Sequence, residues 1–121
     1  MKSPVEHVRV STKGKDILLK IKRYTGLEHW NEICRVAFCR SLANPIPPSN
    51  NKIGDRNIEM EWKIFAGAYQ EEFSALIILR AKKDKVDINQ NDVLAEYLRA
   101  HLERGIASLQ NTKSISMFCE R

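Results

Sequence analysis

Apolar and polar residues change rhythm several times along the chain, and each rhythm predicts an element. From Val5 to Val10 they alternate, with Val8 and Val10 on one face and His7 and Arg9 on the other. Period two predicts a short strand, because successive side chains of extended backbone point to opposite sides. After Ser11 the spacing lengthens. Ile17, Leu18, Ile21 and Tyr24 recur at three and four residues and form one stripe of a helix. Ser11 or Thr12 stands where a hydroxyl can accept from an unpaired early N–H, and Gly26 where left-handed backbone can close the helix. A second helix is expected over about 29–42. Its apolar residues Trp30, Ile33, Cys34, Val36, Ala37, Phe38 and Leu42 cover most of the circumference, which marks a buried element.

The pattern then lapses. Residues 43–56 hold Pro45, Pro47, Pro48, Gly54 and several Asn, the composition of a loop. Ile58, Met60, Trp62 and Ile64 alternate with Glu59, Glu61 and Lys63, which predicts a strand over 57–65 ended by Gly67. Tyr69, Phe73, Leu76 and Ile77 restore a helical period over 68–83. The polar stretch DKVDINQND leads into a last helix at 92–110, with Asn91 or Asp92 as its cap and Tyr97, Leu98, His101, Leu102 and Ile106 on its inner stripe. Residues 112–121 carry no clear pattern. The expected fold is mainly α with one or two short strands, in one domain spanning 1–121. Its N-terminal half, 5–42, has the strand–helix–helix order of a ribbon-helix-helix unit, and two helices follow in the C-terminal half. In that unit two chains usually pair their strands and face DNA.

Charge adds a direction to this picture. The formal net charge is +5 over 121 residues, with 43% hydrophobic and 29% charged residues, a globular composition. Residues 1–40 hold nine Lys and Arg against four acids, whereas 41–121 hold eleven of each sign. The whole excess lies in the first third. It implies either a solvated basic helix face or a polyanion partner at one end of the molecule. The longest apolar run, Ala75 to Leu79, is far too short for a membrane span, and the N-terminus lacks the apolar core of a secretory signal. Three cysteines without CxxC spacing fit a reducing interior, so the cytoplasm is the expected location.

Candidate chemistry is sparse. Cys34 and Cys39 lie five apart, about 140° around a helix, so they cannot share a metal or form a bridge within it. Cys34 reads as a core residue. Cys39 lies near Arg35, where a cation could lower a thiol pKa, which keeps open a thiol enzyme or sulfur carrier. His7, His29 and His101 have no ligand spacing, and His101 is expected beside Tyr97 with a polar partner. A calcium loop starting at Asp87 fails, having Asp92 where Gly is needed and Leu98 where Glu is needed. No phosphate-binding, dinucleotide or nucleophile-elbow motif occurs, and no cofactor or catalytic residue is expected. What remains is the basic set Arg9, Lys13, Lys15, Lys20, Lys22 and Arg23. A Lys-rich set contacts sugar–phosphate backbone more than base edges. If about six phosphates are met, the log–log salt slope would be near −5.

Three segments carry a family resemblance: TGLEHWNEICRVAFCRSL (Thr25 to Leu42), EWKIFAGAY (Glu61 to Tyr69) and EYLRAHLERGI (Glu96 to Ile106). In that order the chain from Ser11 to Leu109 resembles the DndE family of DNA sulfur modification proteins. The resemblance implies a mostly helical fold and a role in DNA phosphorothioation, in which sulfur replaces a non-bridging phosphate oxygen. It implies a non-catalytic subunit able to engage nicked duplex DNA. Its companions would be an iron–sulfur, sulfotransferase-like subunit and a P-loop ATPase, with sulfur from a cysteine desulfurase. It further implies self-association to a tetramer. Two departures stand out: Glu28-His29 replaces the family's frequent Thr-Pro, removing a favourable helix cap, and Ala68 replaces a common Glu. The Cys34, Arg35, Phe38, Cys39 pattern carries over as a family hallmark read as packing. A ribbon-helix-helix transcriptional repressor is the alternative function.

Overall fold

The computed structural model describes residues 4–26, 29–48, 58–89 and 93–110. Strand β1 (His7–Val10) leads into helix α1 (Thr12–Thr25) and, after a turn, helix α2 (Trp30–Ala43). Strand β2 (Ile58–Glu61) runs directly into a short helix α3 (Trp62–Ala66), a 3₁₀ turn (Gly67–Tyr69) and helix α4 (Gln70–Lys83). Helix α5 (Val93–Ser108) is the last described element. The fold is mainly helical with a short two-stranded antiparallel sheet, as expected.

The strand–helix–helix order of the N-terminal half is present, but the ribbon forms within one chain. β1 pairs with β2 in the register His7↔Glu61, Val8↔Met60, Arg9↔Glu59 and Val10↔Ile58. The repressor alternative rests on strands exchanged between two chains, and this pairing does not support it.

The expected strand over 57–65 is corrected. It ends at Glu61, and Trp62 opens a helix. Two causes act together. The Trp62 N–H still bonds the Glu6 carbonyl at 3.1 Å, but the next partner outward is Pro4, which has no N–H to offer. The alternation at 62–64 also competes with Trp62, Phe65 and Ala66, which are buried at helical spacing while Ile64 points outward, 51% exposed. Gly67 therefore breaks a helix rather than ending a strand; its φ of 58° makes the kink between α3 and the following turn. The bend leaves carbonyls without helical partners. Two α2 side chains one turn apart satisfy them: Asn31 Nδ2 donates to the Ile64 carbonyl at 3.1 Å and Arg35 Nε to that of Phe65 at 2.8 Å.

α2 is the central element, and its closest neighbour is α5. Gly105 permits the approach, since a Cβ there would lie 1.8 Å from the Ala37 carbonyl oxygen. On its other side α2 meets an aromatic cluster. Phe38 stands edge-on to Phe65, with ring centroids 5.6 Å apart, and tilted against Phe73 at 5.2 Å; such off-parallel pairs suit the ring quadrupoles. Trp30, Val36 and Leu42 are partly buried around this core. The start of α2 lacks a side-chain cap at His29, as the departure from the family pattern implies. Most of the 43–56 loop, the proposed caps Asn91 and Asp92, and residues 112–121 lie outside the described residues.

Candidate nucleic-acid interface

Helix α1 is held at both ends and on one side. Ser11 is its N-cap, its hydroxyl accepting from the Gly14 N–H at 3.0 Å. The same hydroxyl donates to Glu103 Oε2 at 3.0 Å, and the Ser11 N–H donates to Glu103 Oε1 at 2.7 Å. A carboxylate from α5 thus sits on the positive end of the α1 dipole. Gly14 is required by this packing: a Cβ would fall 2.6 Å from Val10 Cγ1 and 3.1 Å from Glu103 Oε2. At the other end Gly26, with φ of 76°, returns its N–H to the Lys22 carbonyl. Leu18 and Ile21 face the core, Ile17 lies at its margin, and Tyr24 is exposed.

The core side being fixed, the cations fall in two rows on the remaining half of α1. Lys13, Lys20 and Arg23 are exposed and lie within about 80° of one another around the helix. Lys15 and Lys22 are half-buried and share a second row, about 140–200° from Lys13 and Lys20. Lys22 Nζ stands 5.6 Å from the Trp30 ring centroid, a cation–π distance. Asp16 is the acid among them, exposed between Lys13 and Lys20. Arg9 lies apart on β1, where its guanidinium meets Glu59 at 3.0 Å. The six basic residues are thus separated into three exposed cations, two half-buried ones and an ion-paired arginine.

The thiols are elsewhere. Cys34 is fully buried, and burial first, then the Glu103 charge, pushes its thiol up to about 12 against the opposing pull of Arg35. Cys39 is exposed, yet local burial raises its thiol pKa too. The expectation that Arg35 could lower it is corrected, because that guanidinium is committed to the Phe65 carbonyl. Among the described residues no three His, Cys, Asp or Glu side chains gather as a metal site, and no helix is long and apolar enough to cross a membrane.

A buried polar network escaped the sequence reading. Arg80 donates from Nε to Asp84 Oδ2 at 3.0 Å, from Nη1 to the Leu42 carbonyl at 2.9 Å, and from Nη2 to the carbonyls of Asn44 and Ile46 at 2.7 and 3.0 Å. Arg104 donates from Nε to Ser41 Oγ at 2.8 Å and from its other nitrogens to the carbonyls of Ser41 and Ile46. Tyr97 donates to Asp84. Burial works against the Asp84 charge, but the hydrogen bonds from Tyr97 and Arg80 outweigh it and hold the carboxyl below its ordinary range. His101 sits edge-on to Tyr97, with Nδ1 2.8 Å from Ser41 Oγ, the polar partner anticipated for it. Burial, then the charges of Arg80 and Arg104, push the ring down to about 4. Ser41 Oγ thus joins the His101 ring to the Arg104 guanidinium, while His101 Nε2 is buried without a hydrogen-bond partner. One signal was available in advance: Arg80 falls on the Phe73–Ile77–Ala81 stripe, an arginine at a core position.

Fold and surface define a small helical protein with an intrachain β-ribbon that presents one lysine-rich helix. A family model described as DNA sulphur modification protein DndE matches residues 7–117, nearly the whole chain. The chain belongs to the DndE family. Its fold is similar to that in the crystal structure of DndE from Escherichia coli B7A, involved in DNA phosphorothioation modification. That similarity has a TM-score of 0.68 at 24% identity, and covers 87% of this chain and 97% of the other. A comparison with curated proteins finds no match.

Proposed function

We propose that this chain is a non-catalytic, DNA-binding accessory subunit of the DNA phosphorothioation machinery. It contacts the sugar–phosphate backbone of duplex DNA, nicked duplex in particular, through the side of α1. The carrying observation is the α1 surface, where five cations and one acid occupy the half turned away from the core. Lysine ammonium groups neutralise phosphates as point charges and read no base pattern, which suits a subunit that must hold DNA whose sequence another subunit selects. Family membership supports the pathway, and the nick preference follows the family resemblance. Arg35's structural commitment and the raised pKa of both described thiols support a subunit without nucleophilic chemistry of its own.

In this reading the chain works in the cytoplasm without a cofactor. It self-associates to a tetramer and meets iron–sulfur sulfotransferase-like and ATPase subunits. A gel shift with intact and nicked duplexes tests it: Lys20→Glu with Lys22→Glu weakens binding to both, and unchanged binding defeats the proposal.

A further inference from the structure

Helix α4 has two apolar sides and uses one of them. Phe73, Ile77 and Ala81 face the body of the protein. On the opposite side Leu76 is 44% and Leu79 63% exposed, next to exposed Ala75. Charges of opposite sign close this outer patch at its two ends, Glu71 and Glu72 in the first turn and Lys82 and Lys83 in the last. Acids at the start and bases at the end of a helix also suit its dipole. The dipole gives no reason for exposed leucines between them.

The order acid, apolar, base is complementary to itself in one orientation. Turned antiparallel about a twofold axis at the level of Ile77, Glu72 of one copy meets Lys83 of the other and Glu71 meets Lys82, since each pair lies on the same side of the contact. Leu79 then meets Ala75, a large side chain against a small one. About 15 Å of helix separates Glu72 from Lys82, so both charged ends engage within one four-turn helix. A parallel arrangement would set glutamates against glutamates. We infer that the outer face of α4 is a contact between two copies of this chain, joined as an antiparallel α4–α4 pair with isologous symmetry. This rests on the reading that the chain self-associates, and it names a face that does so. The face is distinct from the lysine rows of α1, so DNA contact and assembly use different surfaces.

Reciprocal charge reversal tests it, with the full-length chain's mass measured by light scattering during gel filtration and helicity checked by circular dichroism. One variant combines Glu71→Lys with Glu72→Lys, leaving lysines at both ends of the patch. The other combines Lys82→Glu with Lys83→Glu, leaving acids at both. Each alone falls to half the wild-type mass or less, and an equimolar mixture regains it, because a basic and an acidic patch are complementary in the same geometry. Leu79→Glu also loses mass, and neither reversal variant restores it. A wild-type monomer overturns both self-association and this contact. A wild-type oligomer whose mass ignores the reversals, or which falls apart without recovery on mixing, overturns the α4 contact alone.

Discussion

If α1 holds DNA as proposed, its two-row arrangement fixes how binding responds to salt. Each phosphate neutralised on duplex DNA contributes about −0.9 to the slope of log K against log salt, through release of condensed counterions. Arg9 is already paired with Glu59 and counts for little. If both rows of α1 engage, five cations remain and the slope is about −4.5, against the −5 estimated for all six. Raising salt fourfold, from ~50 to ~200 mM, then weakens binding about 500-fold. The rows separate in the mutants. Replacing Lys13, Lys20 and Arg23 by alanine removes about 2.7 of the slope, and replacing Lys15 and Lys22 about 1.8. Arg9→Ala leaves it nearly unchanged. Fluorescence anisotropy of a labelled, nicked duplex titrated with KCl reads all four slopes. A wild-type slope shallower than about −2, or a slope that survives loss of the outer row, refutes backbone contact by α1.

Three further outcomes follow from the packing. Gly105→Ala sets a methyl 1.8 Å from the Ala37 carbonyl oxygen, so α2 and α5 must part. Overpacking of about 3 kcal/mol outweighs the ~1 kcal/mol gained in helix propensity, for a net loss of about 2 kcal/mol in urea unfolding. Ala37→Gly does not rescue it, because the clash is with backbone. His101, whose pKa is depressed from 6.5 to about 4, makes the unfolded chain the better proton acceptor. Stability is therefore full above about pH 6.5 and is lost as pH falls toward 4, by about 3 kcal/mol in urea midpoints. Asp84, held low, extends the loss further into acid. His101→Asn, which keeps a polar partner for Ser41 without a titrating ring, flattens the decline between pH 6.5 and 4. Finally, iodoacetamide labels Cys39 but not buried Cys34 in the native protein, and both in urea, as peptide mass spectrometry will show.

How much of the fold was legible depended on whether an element's signal was local. α1 could be read because everything that makes it lies within its own span: a hydroxyl at Ser11, a stripe at three and four, and Gly26 beyond. α2 could be read because a helix apolar nearly all round has few places to go. The segment from Ile58 to Gly67 misled because both periods are present in it. Alternation runs through Ile64, and helical spacing begins at Trp62. What decides is the length of the partner strand, which begins only at His7, just after Pro4 and more than fifty residues earlier. No window around Trp62 contains that information.

The candidate site divides the same way. Surface lysines need no partner to be exposed, so their concentration in the first third was visible as charge alone. Their arrangement was not, because it depends on long-range bonds such as Glu103 to Ser11, ninety-two positions apart. That bond also decides how α1 can meet a phosphate. A helix N-terminus ordinarily attracts anions through its free N–H groups and dipole. Here Glu103 occupies the position with a negative charge of its own, and Gly14 is packed tightly behind it. End-on phosphate binding is therefore opposed by a carboxylate, and the proposed DNA contact falls to the flank of the helix. A flank binds through side chains alone, and lysine, long and flexible, can follow a phosphate across a break in the strand where a rigid pocket could not.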